Sequence, residues 1–433
     1  MILPCTAGTA TLACLAAERT ASSTGTGLIR QSIESRASWV VASVSLMLLA
    51  MSYGAPWITV VALKAIAGDM GGARSIPALA NALAWLGTAA GGILMGRIAD
   101  RLGIRSTVMF GSVAIAIGLF VSSLGQPWQL YVGHGLFIGL LGNAGLNAPL
   151  YVYVSRWFDR RRGSALALIS SGGYLAGFLW PPLFERATAM LGWPWTMLAF
   201  ALLQLTVILP LAAVFLRPPP EVPDAAGSAR ADGQKRLVLG WPPNVAFALI
   251  GFAAFMCCVT MSMPQGHLVA LCTDYGISAS LGALMLSALL GAGVLSRQIW
   301  GWIADRVGGL VTAVTSSALQ AAAMTAFLFT QDEVGLFTVS VAFGLGFSAL
   351  IPAYVLVIRE LFPLSEAHWR VPSVLFMSGS GMAAGGWIAG YMYDLFGFYA
   401  PAFATGVAFN LVNLAVLALL VTRRQLAENE AVA

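Results

Sequence analysis

Gly96-Arg97-Ile98-Ala99-Asp100-Arg101-Leu102-Gly103 and Gly301-Trp302-Ile303-Ala304-Asp305-Arg306-Val307-Gly308 are two copies of one octapeptide, G-x-I-A-D-R-x-G, set in opposite halves of the chain. Each closes one long apolar run and opens another. Outward from them, apolar runs of the length a spanning helix needs, about 20 residues, cover most of the sequence. Twelve can be drawn: 39–62, 76–96, 106–124, 129–154, 164–184, 195–216, 242–265, 280–301, 311–330, 335–358, 371–392 and 399–421. Each octapeptide then follows the second span of a six-span half. Chance does not place such a repeat at equivalent points, so the chain reads as two related halves with a solute site between them.

Composition supports lipid as the solvent. Of 433 residues 58% are hydrophobic and 9% are charged, where a soluble domain carries roughly 25% charged residues. The net charge of +5 is no nucleic-acid signal, because the basic residues lie in short loops between apolar runs. Cys5, Cys14, Cys257, Cys258 and Cys272 show neither metal-ligand spacing nor a secreted disulfide framework, and read as apolar fillers. No catalytic constellation, metal site or cofactor is implied, so an enzyme is not expected.

Charge placement gives the topology. Basic residues are retained on the cytoplasmic side. Alternate loops and tails hold 19 of them on one side, and only Lys64, Arg74 and Arg186 on the other; Arg297 stays inside a span. Both termini are therefore expected in the cytoplasm. Residues 1–37 are rich in Ala, Thr, Ser and Gly, with Arg19 the first basic residue, which argues against a secretory signal. They read as a disordered cytoplasmic tail, or in part as a misassigned start. The expected organisation is a bundle over 38–217, a mobile cytoplasmic linker over 218–240 carrying Pro218-Pro219-Pro220, a second bundle over 241–422 and a tail over 423–433. Arginine is used almost to the exclusion of lysine, as in GC-rich bacterial coding, so a bacterial inner membrane is the expected location.

The octapeptides resemble the signature of the major facilitator superfamily. The resemblance implies an all-α membrane protein of twelve transmembrane helices in two pseudo-symmetric six-helix bundles. Gly96, Asp100, Arg101, Gly103 and Arg105, with Gly301, Asp305 and Arg306, then form a cytoplasmic gate motif: an aspartate at a helix end accepts from arginine and from a neighbouring helix N-terminus. The bland alternative is that these residues only set topology and turns. Within the superfamily the chain is most similar to monocarboxylate porters and oxalate–formate antiporters. The likeness rests on Ser52-Tyr53-Gly54-Ala55-Pro56 with Lys64, on Gly142 to Pro149 with Arg156 to Gly163 and Ser170-Ser171-Gly172-Gly173, on His267 to Ile277, and on Arg297. Two places depart from the animal proton-coupled members: Trp57 stands where they carry lysine, and Gly293 where they carry aspartate one turn before the span 8 arginine.

Arg297 is the sharpest candidate. A charge inside a span normally faces protein or water, and the resemblance implies that it binds a substrate carboxylate, for which guanidinium offers two parallel donors. The alternative is a snorkelling side chain whose head reaches the interface. His267 and His134 are candidates for anion or proton handling, against structural histidines bonded to carbonyls. Asn143 and Asn147, one turn apart on span 4, either face the solute or bond between helices. Tyr53 and Trp57 either line a cavity or face lipid. The drawn spans contain no buried acid, so a carboxylate proton relay has no candidate.

The expected function is secondary transport of a mono- or dicarboxylate by alternating access, as exchanger, uniporter or proton-linked carrier. H+ or a counter-anion are the partners to test, no nucleic acid is expected, and a monomer is the default. The alternatives are a proton-driven exporter of hydrophobic compounds and a non-transporting receptor.

Overall fold

The computed structural model describes residues 34–158, 160–217 and 237–432. The expected tail over 1–37 and the linker over 218–240 fall largely outside that range. The described residues form twelve transmembrane helices, six before the linker and six after it. Backbone in hydrocarbon must satisfy its own hydrogen bonds, which helices do within one segment.

Spans 1 to 6 form the first half. Span 1 runs as Arg36–Ser52, Gly54–Val61 and Leu63–Asp69, broken where Pro56 has no N–H to give the preceding turn. Span 2 is Ser75–Leu102, bent by 52°, and span 3 is Ile104–Ser122. Span 4 starts at Pro127–Val132, widens into a π-helix over Gly133–Asn143 and ends as Ala144–Ser155. Span 5 is Arg162–Ser170 and Gly172–Leu191, and span 6 is Trp193–Phe215. The second half holds span 7 (Pro243–Asp274), span 8 (Ala279–Val307), span 9 (Gly309–Phe329), span 10 (Glu333–Phe347 with Leu350–Leu361), span 11 (Leu364–Phe396) and span 12 (Ala400–Val432).

Several helices outrun the spans drawn from hydropathy. Span 7 reaches Asp274, span 11 reaches beyond Asp394, and span 12 continues through residues 423–432, where a tail was expected. Side chains cap other spans at their starts: Ser35 caps span 1, Ser278 caps span 8 and Asp332 caps span 10. Ten spans are long and apolar enough to be recognised by composition, and the bent span 2 makes eleven. Span 11 is the twelfth and is less apolar. Glycines face protein along its length: a Cβ at Gly379 would meet Ala89 of span 2 at 2.8 Å, and one at Gly385 would meet the Val259 carbonyl of span 7 at 2.0 Å.

Spans 5 and 8, spans 2 and 11, and spans 1 and 7 touch across the seam between the halves. Exchanging each span with the one six places on turns the 2–11 contact into the 8–5 contact, as a pseudo-two-fold axis requires. The octapeptides obey the same symmetry. Gly103 turns the chain from span 2 to span 3 at φ 82°, ψ 157°, and Gly308 turns it from span 8 to span 9 at φ 81°, ψ 168°. That region of backbone space is essentially open to glycine alone.

Gly103→Ala and Gly308→Ala should each cost about 1–3 kcal/mol, whereas Gly96→Ala, with open space around its Cβ position, should be neutral. Thermal melting of the purified variants checks all three.

Candidate functional site

Arg297 points across the seam. Its Nη1 donates to the Ser170 carbonyl at 3.0 Å and to Ser170 Oγ at 3.1 Å, and Nη2 donates to Tyr174 Oη at 3.4 Å. The guanidinium lies 4.5 Å from the centre of the Tyr174 ring. These partners belong to span 5, in the opposite half. Arg297 Nε is buried without a hydrogen-bond partner, and among the described residues no carboxylate lies within 4 Å of the guanidinium. The side chain is half-buried, with its donors turned toward span 5.

Small residues bring the two spans this close. Span 5 breaks at Ser171, inside the Ser170-Ser171-Gly172-Gly173 run. A Cβ at Gly177 would strike Leu290 of span 8 at 2.2 Å and Trp57 of span 1 at 2.8 Å. Gly293 lies under the Tyr174 ring, which would be 3.3 Å from a Cβ placed there. The absence of a side chain at Gly293 thus leaves room for the aromatic face on which Arg297 stacks.

Trp57 is buried against this contact. Tyr53 packs near Gly173 and 6.1 Å from the Trp85 ring. Tyr151 of span 4 lies within electrostatic reach of Arg297, Tyr174 and Tyr53. Tyr174 therefore touches the guanidinium directly, and Tyr151 feels its charge. Sequence reasoning missed Tyr151 and Tyr174. The spacing held a signal, since Tyr151 follows Asn147 by one helical turn and Tyr174 follows Ser170 by one.

The other candidates are placed elsewhere. Asn147 is half-exposed on span 4; Asn143 is buried with its Oδ1 unpartnered, so that atom glues no neighbour. His134 is buried within the first half, its Nδ1 3.0 Å from Ser122 Oγ and 3.1 Å from the Leu130 carbonyl. His267 bonds to Tyr399 and to the Gly386 carbonyl. At the arginine-rich end the motif residues pair within their own halves. Asp100 lies 3.8 Å from Arg156, Arg105 Nε donates to the Leu216 carbonyl at 3.3 Å, and Arg306 stacks 3.5 Å over Trp302. Arg101 and Asp305 are exposed, and Gly301, like Gly96, has open space around it.

The ion pairs that cross the seam sit at the far end, where the sequence is poor in basic residues. Asp274 of span 7 accepts from Arg74 at 2.6 and 2.7 Å and from Lys64 at 3.0 Å. Asp394 of span 11 accepts from the backbone N–H groups of Arg74 at 2.7 Å and Ser75 at 2.9 Å, capping span 2 from the other half. Burial works against the Arg74 charge, but Asp274 and Tyr399 more than restore it and hold the guanidinium above its usual range. Hydropathy did not reveal this clamp; that Lys64 and Arg74 are two of only three basic residues on their side was the available signal. Between spans 7 and 11, toward the arginine-rich end, opens a cavity of about 670 Å³ walled by Val245, Leu249, Phe252, Phe255 and Met377.

The sequence pattern of the Major Facilitator Superfamily matches residues 43–367 and 248–432. Among curated relatives, MFS-type transporter 1 of Ophiocordyceps sp. is 26% identical over 65% of this chain and 62% of its own length. Monocarboxylate transporter 13 of Rattus norvegicus is 28% identical over 74% of each chain. The chain thus spans about three fifths to three quarters of the length of these two relatives. Among solved structures, a bacterial homologue of the human lysosomal transporter Spinster, inward-facing and unoccupied, superposes with TM-score 0.66 at 15% identity over 90% of this chain and 96% of that one. The peptide transporter POT in complex with alafosfalin does so with TM-score 0.66 at 15% identity over 88% and 94%.

Tyr174→Phe removes one hydroxyl from Arg297 and keeps the ring; it should cost no more than about 1.5 kcal/mol. Tyr174→Leu also removes the stacking face and should lower stability by about a further 0.5–2 kcal/mol. Thermal melting of both variants separates the two contributions.

Proposed function

The chain belongs to the Major Facilitator Superfamily, and from that premise we propose that it carries a small organic carboxylate across the membrane by alternating access, with Arg297 as the anion-binding group. One observation carries this reading. A guanidinium sits half-buried at the seam between the halves, ringed by hydroxyls and without a carboxylate partner among the described residues. An ion withdrawn from water without a counter-charge is costly. A solute carboxylate neutralises it through two parallel donors, and the Ser170 carbonyl and hydroxyl keep the place until the solute arrives. Rocking of one half against the other separates span 5 from span 8 and exposes the group to each side in turn. The octapeptide acids then latch the arginine-rich end while the far end stands open.

On this reading the arginine-rich end and both termini are cytoplasmic, the membrane is a bacterial inner membrane and the carrier works as a monomer. No acid stands beside Arg297 among the described residues, and this favours anion exchange or uniport over a symporter run by a carboxylate relay. The name of the monocarboxylate transporter relative supports a carboxylate as the solute. A second reading, export of hydrophobic compounds, is favoured by the apolar cavity between spans 7 and 11.

Purified protein should be stabilised by one or a few mono- or dicarboxylates, by about 2.7 kcal/mol when the acid is present at about 100 times its Kd. Arg297→Gln should weaken that binding at least tenfold, and Gly293→Asp should do the same by giving the guanidinium an internal carboxylate one turn away. Stabilisation by uncharged hydrophobic compounds, unchanged in Arg297→Gln, would instead establish the exporter reading.

A further inference from the structure

The far-end clamp has a second layer whose hydrogen-bond directions can be assigned. The Gly386 carbonyl can only accept, so His267 Nε2, 2.8 Å away, carries the proton of that bond. A neutral His267 then presents a lone pair at Nδ1, which accepts a hydrogen bond from the Tyr399 hydroxyl at 3.0 Å. Tyr399 Oη in turn accepts from Arg74 Nη1 at 2.9 Å. Arg74 donates its remaining bonds to Asp274. A single directed chain thus runs from Asp274 through Arg74 and Tyr399 to His267 and ends on span 11. It crosses the seam twice, from Asp274 of the second half into Arg74 of the first and back to Tyr399 of the second, and His267 is 1% exposed.

A proton added at Nδ1 breaks this order. Tyr399 Oη would face two donors, Arg74 and the new N–H, and its own hydrogen would have no place in the chain. The added charge would also stand one residue behind the Arg74 guanidinium. The charged and titratable groups around His267 are Arg74 and Lys64 from the first half, Asp274 on its own helix, and Asp394, Tyr393 and Tyr399 from spans 11 and 12. Both acids are already committed to Arg74, Lys64 and the start of span 2. From spans 1 and 2 the neighbours are Thr59, Pro77 and Asn81, which do not titrate; they border a cavity of about 10 Å³ beside His267, room for about one water molecule.

We propose that His267 is a proton-operated release for the far-end clamp: the closed arrangement requires it neutral, and its protonation favours separation of Arg74 from Asp274 and Tyr399. When the far end opens, Arg74 leaves with the first half, while Tyr399 and His267 stay in the second and meet water. The open form therefore binds the proton and the closed form does not. By linkage, the open population rises as pH falls, by at most about tenfold per pH unit, a limit reached only below the pH at which the exposed histidine takes up its proton. The device does not depend on what the carrier transports.

Double electron–electron resonance between spin labels on Gly68→Cys and Ser280→Cys tests it, in full-length protein in nanodiscs with Cys5 and Cys14 changed to Ser. Both sites are exposed at the far end, one in each half, and Cys257, Cys258 and Cys272 are buried. Between pH 7.5 and 5.5 the longer-distance population should grow by up to about tenfold. His267→Gln, whose amide can still bond to Gly386 and Tyr399, should hold the distribution constant over that range. Asp274→Asn should raise the long-distance population at both pH values. An acid response that persists in His267→Gln, or its absence in the otherwise unchanged protein, overturns the proposal; so does a closed distribution in Asp274→Asn.

Discussion

An unpaired positive charge inside a bilayer-spanning helix is tolerable only where something other than hydrocarbon meets it. Arg297 imposes that condition on span 8, and span 5 meets it with a carbonyl, two hydroxyls and an aromatic face. The glycines at 177, 291 and 293 let the two helices come close enough for those groups to reach. The same rule operates at the far end with opposite means, since Arg74 is matched by a full negative charge on Asp274. One guanidinium is therefore saturated and the other is left with neutral partners, and only the second retains a demand for an anion.

Much of this was legible in the sequence. Length and apolarity located the spans because lipid leaves the backbone no alternative to helix. The paired glycines of the octapeptides announced the symmetry, because Gly103 and Gly308 occupy backbone space closed to other residues. Other features depend on contacts between distant segments, which hydropathy does not encode. Asp274 and Asp394 looked like loop acids, yet their helices extend to include them because Arg74 and the start of span 2 give them partners. Tyr151 and Tyr174 carry no charge, so nothing in a composition count distinguished them from lipid-facing tyrosines. His267 and His134 read alike in the sequence; the structure ties one into the seam and the other inside a single bundle.

The two octapeptides also show which part of a repeat is constrained. The turn is held in both copies, but the side-chain chemistry around it has drifted. In the first copy Asp100 approaches Arg156. In the second, Arg306 folds onto Trp302, and Glu360 from span 10 takes over the start of span 9 by accepting from the Gly309 N–H at 2.8 Å. A backbone requirement survives because one residue alone satisfies it, whereas a polar contact can be rebuilt by any neighbour in reach.

Span 11 carries a different implication. Several of its glycines, with Arg370 and Asp394, are matched to spans 2 and 7, and it falls outside the spans recognised by composition as membrane helices. Such a segment gains little from partitioning into bilayer alone. During synthesis it must then wait for company, entering the lipid with earlier helices already in place to receive it, so the order of assembly is written into the least oily strip of the chain.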